Sequence, residues 1–383
     1  MFVEIHLLQN FALSNLNRDD TGAPKNCIFG GTRRARISSQ CQKRAIREYM
    51  YATGFVTLEQ FSYRTRKLAT ELAARLRDVA GVDIQQATDV AVTAIELMGF
   101  ELKDMRTEYL LMVGESELQR LVQICSENWT QLVELADKAE TQAKAKKKNK
   151  NDSLGKILLS ALQGGDIVDL ALFGRMIADH PIKNVDAAVQ MSHAFSTHAV
   201  ANEFDYYTAV DDLRDASDDE GVGAAMLGTI LYNSSCYYRY ANLDLDQLIS
   251  NLHGDLDTAI HVAHAFLEGM VKAVPTGKQN NSAAQNPPSL IMVVVRERGL
   301  WSLANAFTNA IWGANKDLLA TSASQLLSHW RQLTSIYGKE GIEYVGLSTY
   351  LPLAEHGMDG ISLETSFPDL QQQVLRVLRN SQN

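Results

Sequence analysis

The chain has 383 residues, 46% of them hydrophobic and 21% charged, and a net charge of −9. That length exceeds what one hydrophobic core usually serves, and the composition excludes a disordered chain, so two lobes of a globular protein are expected. The acidic balance excludes a protein that coats nucleic acid with its whole surface, but not one with a local basic groove.

No apolar run approaches the roughly 18 residues of a membrane helix. The Met1–His6 start carries no basic, signal-like block. Cys27, Cys41, Cys125 and Cys236 stand far apart. That spacing gives neither a disulfide framework nor a zinc knuckle and suits a reducing cytoplasm. No membrane, metal or cofactor is expected.

Phe2–Phe11 is apolar and β-prone and predicts a strand. A loop rich in Asn, Asp, Gly and Pro is expected from Ala12 to about Arg36. A helix then starts at Ser39, with Gln42 as capping-box partner. On it Gln40, Lys43, Arg44 and Arg47 share a face by helical spacing, beside a helix start whose N–H groups attract phosphate. Between Arg18 and Arg47, eight basic residues stand against Asp19 and Asp20, so positive charge is concentrated near the N-terminus.

Thr57–Ser160 reads as almost wholly helical, with segments Leu58–Val79, Ala87–Leu102 and Leu118–Lys138. The run containing Lys144, Lys146, Lys147, Lys148 and Lys150 is either a solvated loop or a contact to a nucleic-acid backbone. Beyond Gly165 the pattern is mixed. Strands are expected at Ile167–Phe173, Cys236–Leu243, Ser289–Arg296 and Ile342–Ser348. Helices are expected at Ala187–His198, Leu248–Val274 with a break at Gly254, Leu303–Ala310, Leu318–Tyr337 and Leu370–Arg379. Strand–helix–strand pieces on both sides of a helical block predict a split α+β domain with a helical insertion.

Enzyme signatures are missing: there is no P-loop, and Ser235-Cys236 lies in no nucleophile elbow. The pairs His193/His198 and His261/His264 lack the zinc-protease arrangement and read as core or surface histidines. The acids Asp211, Asp212, Asp215, Asp218, Asp219 and Glu220 read as a solvated loop rather than a metal site.

Three stretches go further. One runs Leu16-Asn17-Arg18-Asp19-Asp20, Lys25, Phe29-Gly30-Gly31-Thr32-Arg33-Arg34, then Arg36-Ile37-Ser38-Ser39-Gln40-Cys41-Gln42-Lys43-Arg44. The second is Phe173-Gly174-Arg175-Met176. The third extends from Asp205-Tyr206-Tyr207-Thr208 to Tyr238-Arg239-Tyr240-Ala241-Asn242. In order and spacing they resemble the CasC family, the backbone subunit of type I-E CRISPR Cascade, over roughly residues 1–50 and 165–310.

The resemblance implies an RRM-like, ferredoxin-type palm (1–56 and 166–383), helical fingers (57–165) and a β-hairpin thumb (about 200–235). It implies a non-catalytic protein that binds guide RNA and polymerises along it in about six copies. Partners would be the large, small, capping and RNA-processing subunits, and target DNA reached through the guide. Arg18, Lys25, Arg34, Lys43, Arg44 and Arg47 would neutralise phosphates, while Ser38, Ser39 and Gln40 bond phosphate or ribose without reading sequence. A guide-RNA scaffold needs that indifference, because base pairing does the reading. Gly30-Gly31 would let backbone approach the RNA.

Met176 is core filler on general grounds, but the resemblance makes it a wedge between bases, with Arg175 on a phosphate or in a surface ion pair. Tyr206, Tyr207 and Thr208 either pack a strand or contact bases from the thumb. Lys278 and Gln279 lie in a polar loop that by resemblance faces the RNA. The lysine run would touch target DNA. Two other readings stay open: a type III-like RNase using Asp19 or Asp20, and a generic single-strand RNA-binding protein.

Overall fold

The computed structural model describes residues 1–141, 153–209, 226–312, 317–352 and 360–382. The chain divides into two compact units: 1–50, 189–245 and 260–383 form one, and 51–188 with 246–259 the other.

The first unit is mixed α+β around a large mixed sheet. Among the described residues, ten strands form it. At its centre, β1 (Phe2–Ser14) lies antiparallel to both Met226–Asp244 and Leu290–Arg296. Both faces of β1 are covered: Val3, Ile5, Leu7 and Leu8 are fully buried, and so are Glu4, His6 and Gln9. Along the start of β1 the apolar Val3, Ile5 and Leu7 alternate with Glu4 and His6, a strand-like period within a β-prone stretch, which is what makes Phe2–Phe11 legible.

Most buried polar side chains there are partnered, as burial demands, although His6 Nε2 and Arg296 Nη2 are not. Glu4 pairs with Arg296 at 2.8 Å and accepts the Tyr240 hydroxyl at 2.9 Å. Arg296 also lies over the Trp301 ring at 4.2 Å. Outward from β1 on one side follow Leu290–Arg296, Ile342–Thr349 and Ser362–Leu363, the last pairing being parallel. Leu326, Leu327 and Trp330 of helix Leu318–Tyr337 pack into one core cluster with Met292, Val294 and Leu347 of the sheet.

On the other side come Met226–Asp244, Ala194–Ser196, β3 (Thr32–Ile37) and β2 (Asn26–Phe29). Helix α1 (Ser39–Ala52) follows β3 and buries Gln42, Ala45, Ile46 and Met50. The 19-residue strand Met226–Asp244 outruns the sheet. Its first part pairs with Glu203–Ala209 in an antiparallel ribbon, Glu203 opposite Tyr232 and Ala209 opposite Met226.

The second unit is mainly helical. Helices Leu68–Ala80, Ile84–Leu97, Glu115–Glu127 and Ser153–Ser160 share a core that includes Leu72, Leu76, Ala91, Ile95, Leu121 and Leu158. The unit takes in residues 166–188 and 246–259 as well as this block. No helix among the described residues is long and apolar enough to cross a membrane.

Several expectations are corrected. Residues 12–36 are not all loop, since β2 and β3 form a hairpin there. Its two turn residues, Gly30 and Gly31, both have positive φ (58° and 72°), the type I′ geometry that glycine permits. Ile167–Phe173 is a helix (Val168–Phe173) rather than a strand. Val168 to Leu172 are all buried, so no periodicity separates the two. Ala187–His198 is not a helix but the strands Val189–Met191 and Ala194–Ser196, both paired to Met226–Asp244, so tertiary pairing overrides local preference. Leu58–Val79 becomes helical only at Leu68, after the strand Ser62–Thr65. Leu303–Ala310 shortens to a 3₁₀ turn, Leu303–Phe307. The α1 cap is Ser38, one residue earlier than expected, and Gln42 is used elsewhere.

Candidate nucleic-acid interface

Three pieces of the first unit converge. The loop between β1 and β2 carries Arg18 and Lys25. Its Asn17 Oδ1 accepts the Ser38 N–H at 2.8 Å, and its Asn17 carbonyl accepts the Lys25 N–H at 2.8 Å. That ties the loop to the start of α1. Gly277 packs against the same loop so closely that any Cβ there would overlap the Leu16 carbonyl oxygen. Lys278 follows in a left-handed conformation, φ 53°. Leu16–Asp20, Gly22 and Gly277 line an open hollow of about 410 Å³. Arg18, Lys25, the α1 start and Lys278 are thereby brought to one region.

Around the helix start the charges are organised. Ser38 is buried, and its hydroxyl accepts the Cys41 N–H at 3.3 Å. Ser39 is half-buried, and its N–H donates to His193 Nδ1 at 3.2 Å. Burial, with Arg36 and Lys25 nearby, holds the His193 pKa below its usual value, so a neutral imidazole sits among cations. Gln40 and Arg44 are exposed, and Arg44 pairs with Glu48 at 2.7 Å. Burial pushes the Lys43 ammonium below its usual range. Lys43 and Arg47 are half-buried on that same helix.

Under the helix, Gln42 Nε2 donates to the Ser192 carbonyl at 3.1 Å, and Gln42 Oε1 accepts from Arg239 Nε at 3.1 Å. Arg239 also donates to Gln9 Oε1 at 2.6 Å, and burial lowers its pKa to about 10. This inner network sets where α1 begins. Sequence reasoning missed His193, Arg36 and Arg239 as site-building residues. Arg36 and Arg239 lay within the quoted motifs, whereas nothing near His193 in sequence signals its partner 154 residues away.

Ser38→Ala is expected to cost about 1 kcal/mol, the usual worth of a helix N-cap. Urea unfolding without RNA checks this, because a hydroxyl used only on RNA would leave the apo stability unchanged.

Two assignments are corrected. Arg34, expected on a phosphate, is fully buried and donates to the carbonyls of Ser196 (2.9 Å), Phe307 (2.8 Å) and Thr308 (3.4 Å). Gly30, in the same hairpin, packs on the Thr308 carbonyl, which a Cβ would overlap. Arg175 is likewise no surface group. In the second unit its guanidinium meets Glu117 at 2.7 and 2.8 Å, both side chains essentially inaccessible. Next to it Met176 is 81% exposed, which removes the core-filler reading.

On the Glu203–Ala209 ribbon, Phe204 and Tyr206 are exposed on one face together with Thr208, while Tyr207 lies over Gly228. Gln279 is half-buried, its Nε2 donating to the carbonyls of Pro275 and Ala284 at 3.0 and 3.1 Å. Lys144, Lys146, Lys147, Lys148 and Lys150 lie outside the described residues, as do the acids from Asp211 to Glu220.

Asp19 closes its own loop. Its Oδ1 accepts the Thr21 hydroxyl (2.7 Å) and the amides of Thr21 (2.9 Å) and Ala23 (3.0 Å), which hold its carboxyl below the usual range. That is an Asx-type turn. Among the described residues no three His, Cys, Asp or Glu side chains gather as metal ligands.

The model of the CT1975-like protein family matches residues 3–373. A solved chain described as "CRISPR RNA-guided surveillance complex, pre-nicking" is 30% identical to this one. It superposes with a TM-score of 0.85 over 99% of this chain and 100% of that chain. A second, from a "CRISPR RNA-guided surveillance complex", is 26% identical with a TM-score of 0.75, over 98% and 99% of the two chains. No curated protein sequence matches. With the family model spanning nearly the whole length, on the motifs that build the α1 region, the chain belongs to the CT1975-like (CasC) family.

Proposed function

We propose that this chain is the repeated, non-catalytic backbone subunit of a type I-E Cascade, the crRNA-guided surveillance complex, and that it holds guide RNA by its phosphates. The observation that carries the reading is whole-length similarity to surveillance-complex chains, coupled to the convergence of Arg18, Lys25, the α1 start and Lys278. Cations around a helix N-terminus suit a phosphate backbone of arbitrary sequence.

In this reading the sheet unit is an RRM-like palm, the helical insertion forms fingers, and the Glu203–Ala209 ribbon is the base of a thumb that crosses to a neighbouring copy. About six copies line one guide. Met176 slips between bases and kinks the strand at regular intervals, leaving short runs of bases free to pair with target DNA. The Lys144–Lys150 run contacts the DNA backbone. The large, small, capping and RNA-processing subunits complete the assembly. The type III-like alternative is disfavoured by Asp19, whose carboxylate is committed to its own turn.

Light scattering with RNAs of increasing length, in Mg²⁺ and followed by a gel, tests this. Mass rising by one protomer per fixed increment of nucleotides, with RNA intact, is the expected result. A single monomeric complex at every length would replace the proposal with a generic RNA-binding protein, and shortened RNA would restore the nuclease reading.

A further inference from the structure

We infer that Glu117 is a positioning residue for Met176: through Arg175, its buried carboxylate fixes the direction in which the exposed methionine points. The inference rests on the wedge role proposed for Met176 and names what holds the wedge in place.

Met176 is flanked by two inward-facing anchors. Arg175 before it is buried, and Ile177 after it is 1% exposed, so the strand-like alternation turns Met176 outward. The backbone is pinned on both sides. Arg175 and Val185 exchange N–H···O bonds of 2.9 Å each, and the Ile177 N–H donates to Asn184 Oδ1 at 2.6 Å. Gly174 just before the turn has φ 76°, and a Cβ there would press on the Val185 carbonyl at 2.8 Å.

Glu117 joins this turn to the body of the unit. Its Oε1 accepts the Gly164 N–H at 2.9 Å, and its Oε2 accepts the Gly114 N–H at 3.0 Å. Both oxygens receive Arg175 Nη1. The same guanidinium donates to the carbonyls of Lys183 and Met112 at 3.3 Å. One carboxylate therefore fixes the start of helix Glu115–Glu127, the 164 turn and the residue preceding the exposed methionine.

The attraction within the pair does not by itself account for it, because a buried ion pair loses in desolvation much of what it gains in attraction. Two apolar side chains of similar volume would fill the space, at the cost of the partners that Gly114, Gly164, Met112 and Lys183 lose. What an apolar pair lacks is direction: planar guanidinium against carboxylate fixes orientation as well as distance. A methionine with three free rotors, on a turn free to tilt, would insert poorly.

The test uses the full chain assembled on guide RNA carrying 2-aminopurine at the displaced positions, with Met176→Ala, Glu117→Gln and the charge-free double variant Glu117→Leu/Arg175→Met. The double variant leaves no unpaired buried charge and keeps the test open where Glu117→Gln fails to fold. We expect it to fold and to bind RNA within about threefold of wild type, since phosphate contacts dominate affinity. Its 2-aminopurine signal should fall most of the way to that of Met176→Ala. A folded double variant with the wild-type signal overturns the positioning role alone, provided that Met176→Ala has lost it. If Met176→Ala keeps the wild-type signal, the wedge reading and this inference fall together.

Discussion

Arg34→Met is expected to destabilise the protein by about 3 kcal/mol while leaving the salt dependence of RNA binding unchanged. The side chain is fully buried, and three carbonyls depend on it: Ser196 on the neighbouring strand and Phe307 and Thr308 at the end of the 3₁₀ turn. Hydrogen bonds from a charged donor contribute about 1.5–3 kcal/mol each, and part of that offsets the burial of the guanidinium itself. Methionine fills much of the volume but leaves those carbonyls without their donor.

The same 307–308 segment excludes a side chain at Gly30, so hairpin β2–β3 is locked to it from two directions. Urea unfolding should therefore show a lower midpoint at unchanged slope. Filter binding over a salt series should show a parallel line. A slope reduced by about 0.7 per protomer at unchanged stability would instead mean that Arg34 neutralises a phosphate.

Arg34 also shows where sequence reading stops. A basic residue in a basic run reads as a phosphate ligand, yet Arg33 points to solvent while Arg34 points inward, because β3 alternates its faces. Only the register of β3 against Ala194–Ser196, Arg36 opposite Phe195, decides which arginine is spent on the fold. Arg175 repeats the lesson, since its partner Glu117 is 58 residues away.

What was legible had local causes. The β-prone stretch of β1, the 3.6-residue pattern of Leu318–Tyr337 and the break at Gly254 between helices Leu245–Asn251 and Leu256–Lys272 all lie within a few neighbouring residues. The short strands Val189–Met191 and Ala194–Ser196 exist only through their pairing with Met226–Asp244, so no local pattern announced them. The ordering of α1 by Arg239, Gln42 and Gln9 is equally non-local.

Arg18→Ala with Lys25→Ala is the complementary experiment, and its effect should appear in binding rather than folding. Arg18 is exposed, and the loop is held by backbone and by Asn17 and Asp19, none of which the substitutions touch: Lys25 N–H on the Asn17 carbonyl, Ser38 N–H on Asn17 Oδ1, and Ala23 N–H on Asp19. Each lost phosphate contact lowers the slope of log K against log salt by about 0.7 on single-stranded RNA, so the double variant should lose about 1.4 per bound protomer. At moderate salt this corresponds to about a tenfold loss of affinity for each protomer bound, or about 1.4 kcal/mol.

Because copies share one RNA, the losses multiply along it, and assembly on a long guide should fail at salt concentrations where a short RNA still binds one protomer. The loss should be equal for RNAs of unrelated sequence. A sequence-selective loss would place these side chains on bases, and an unchanged slope with weaker binding would mean that the substitutions act by loosening the loop that frames the start of α1.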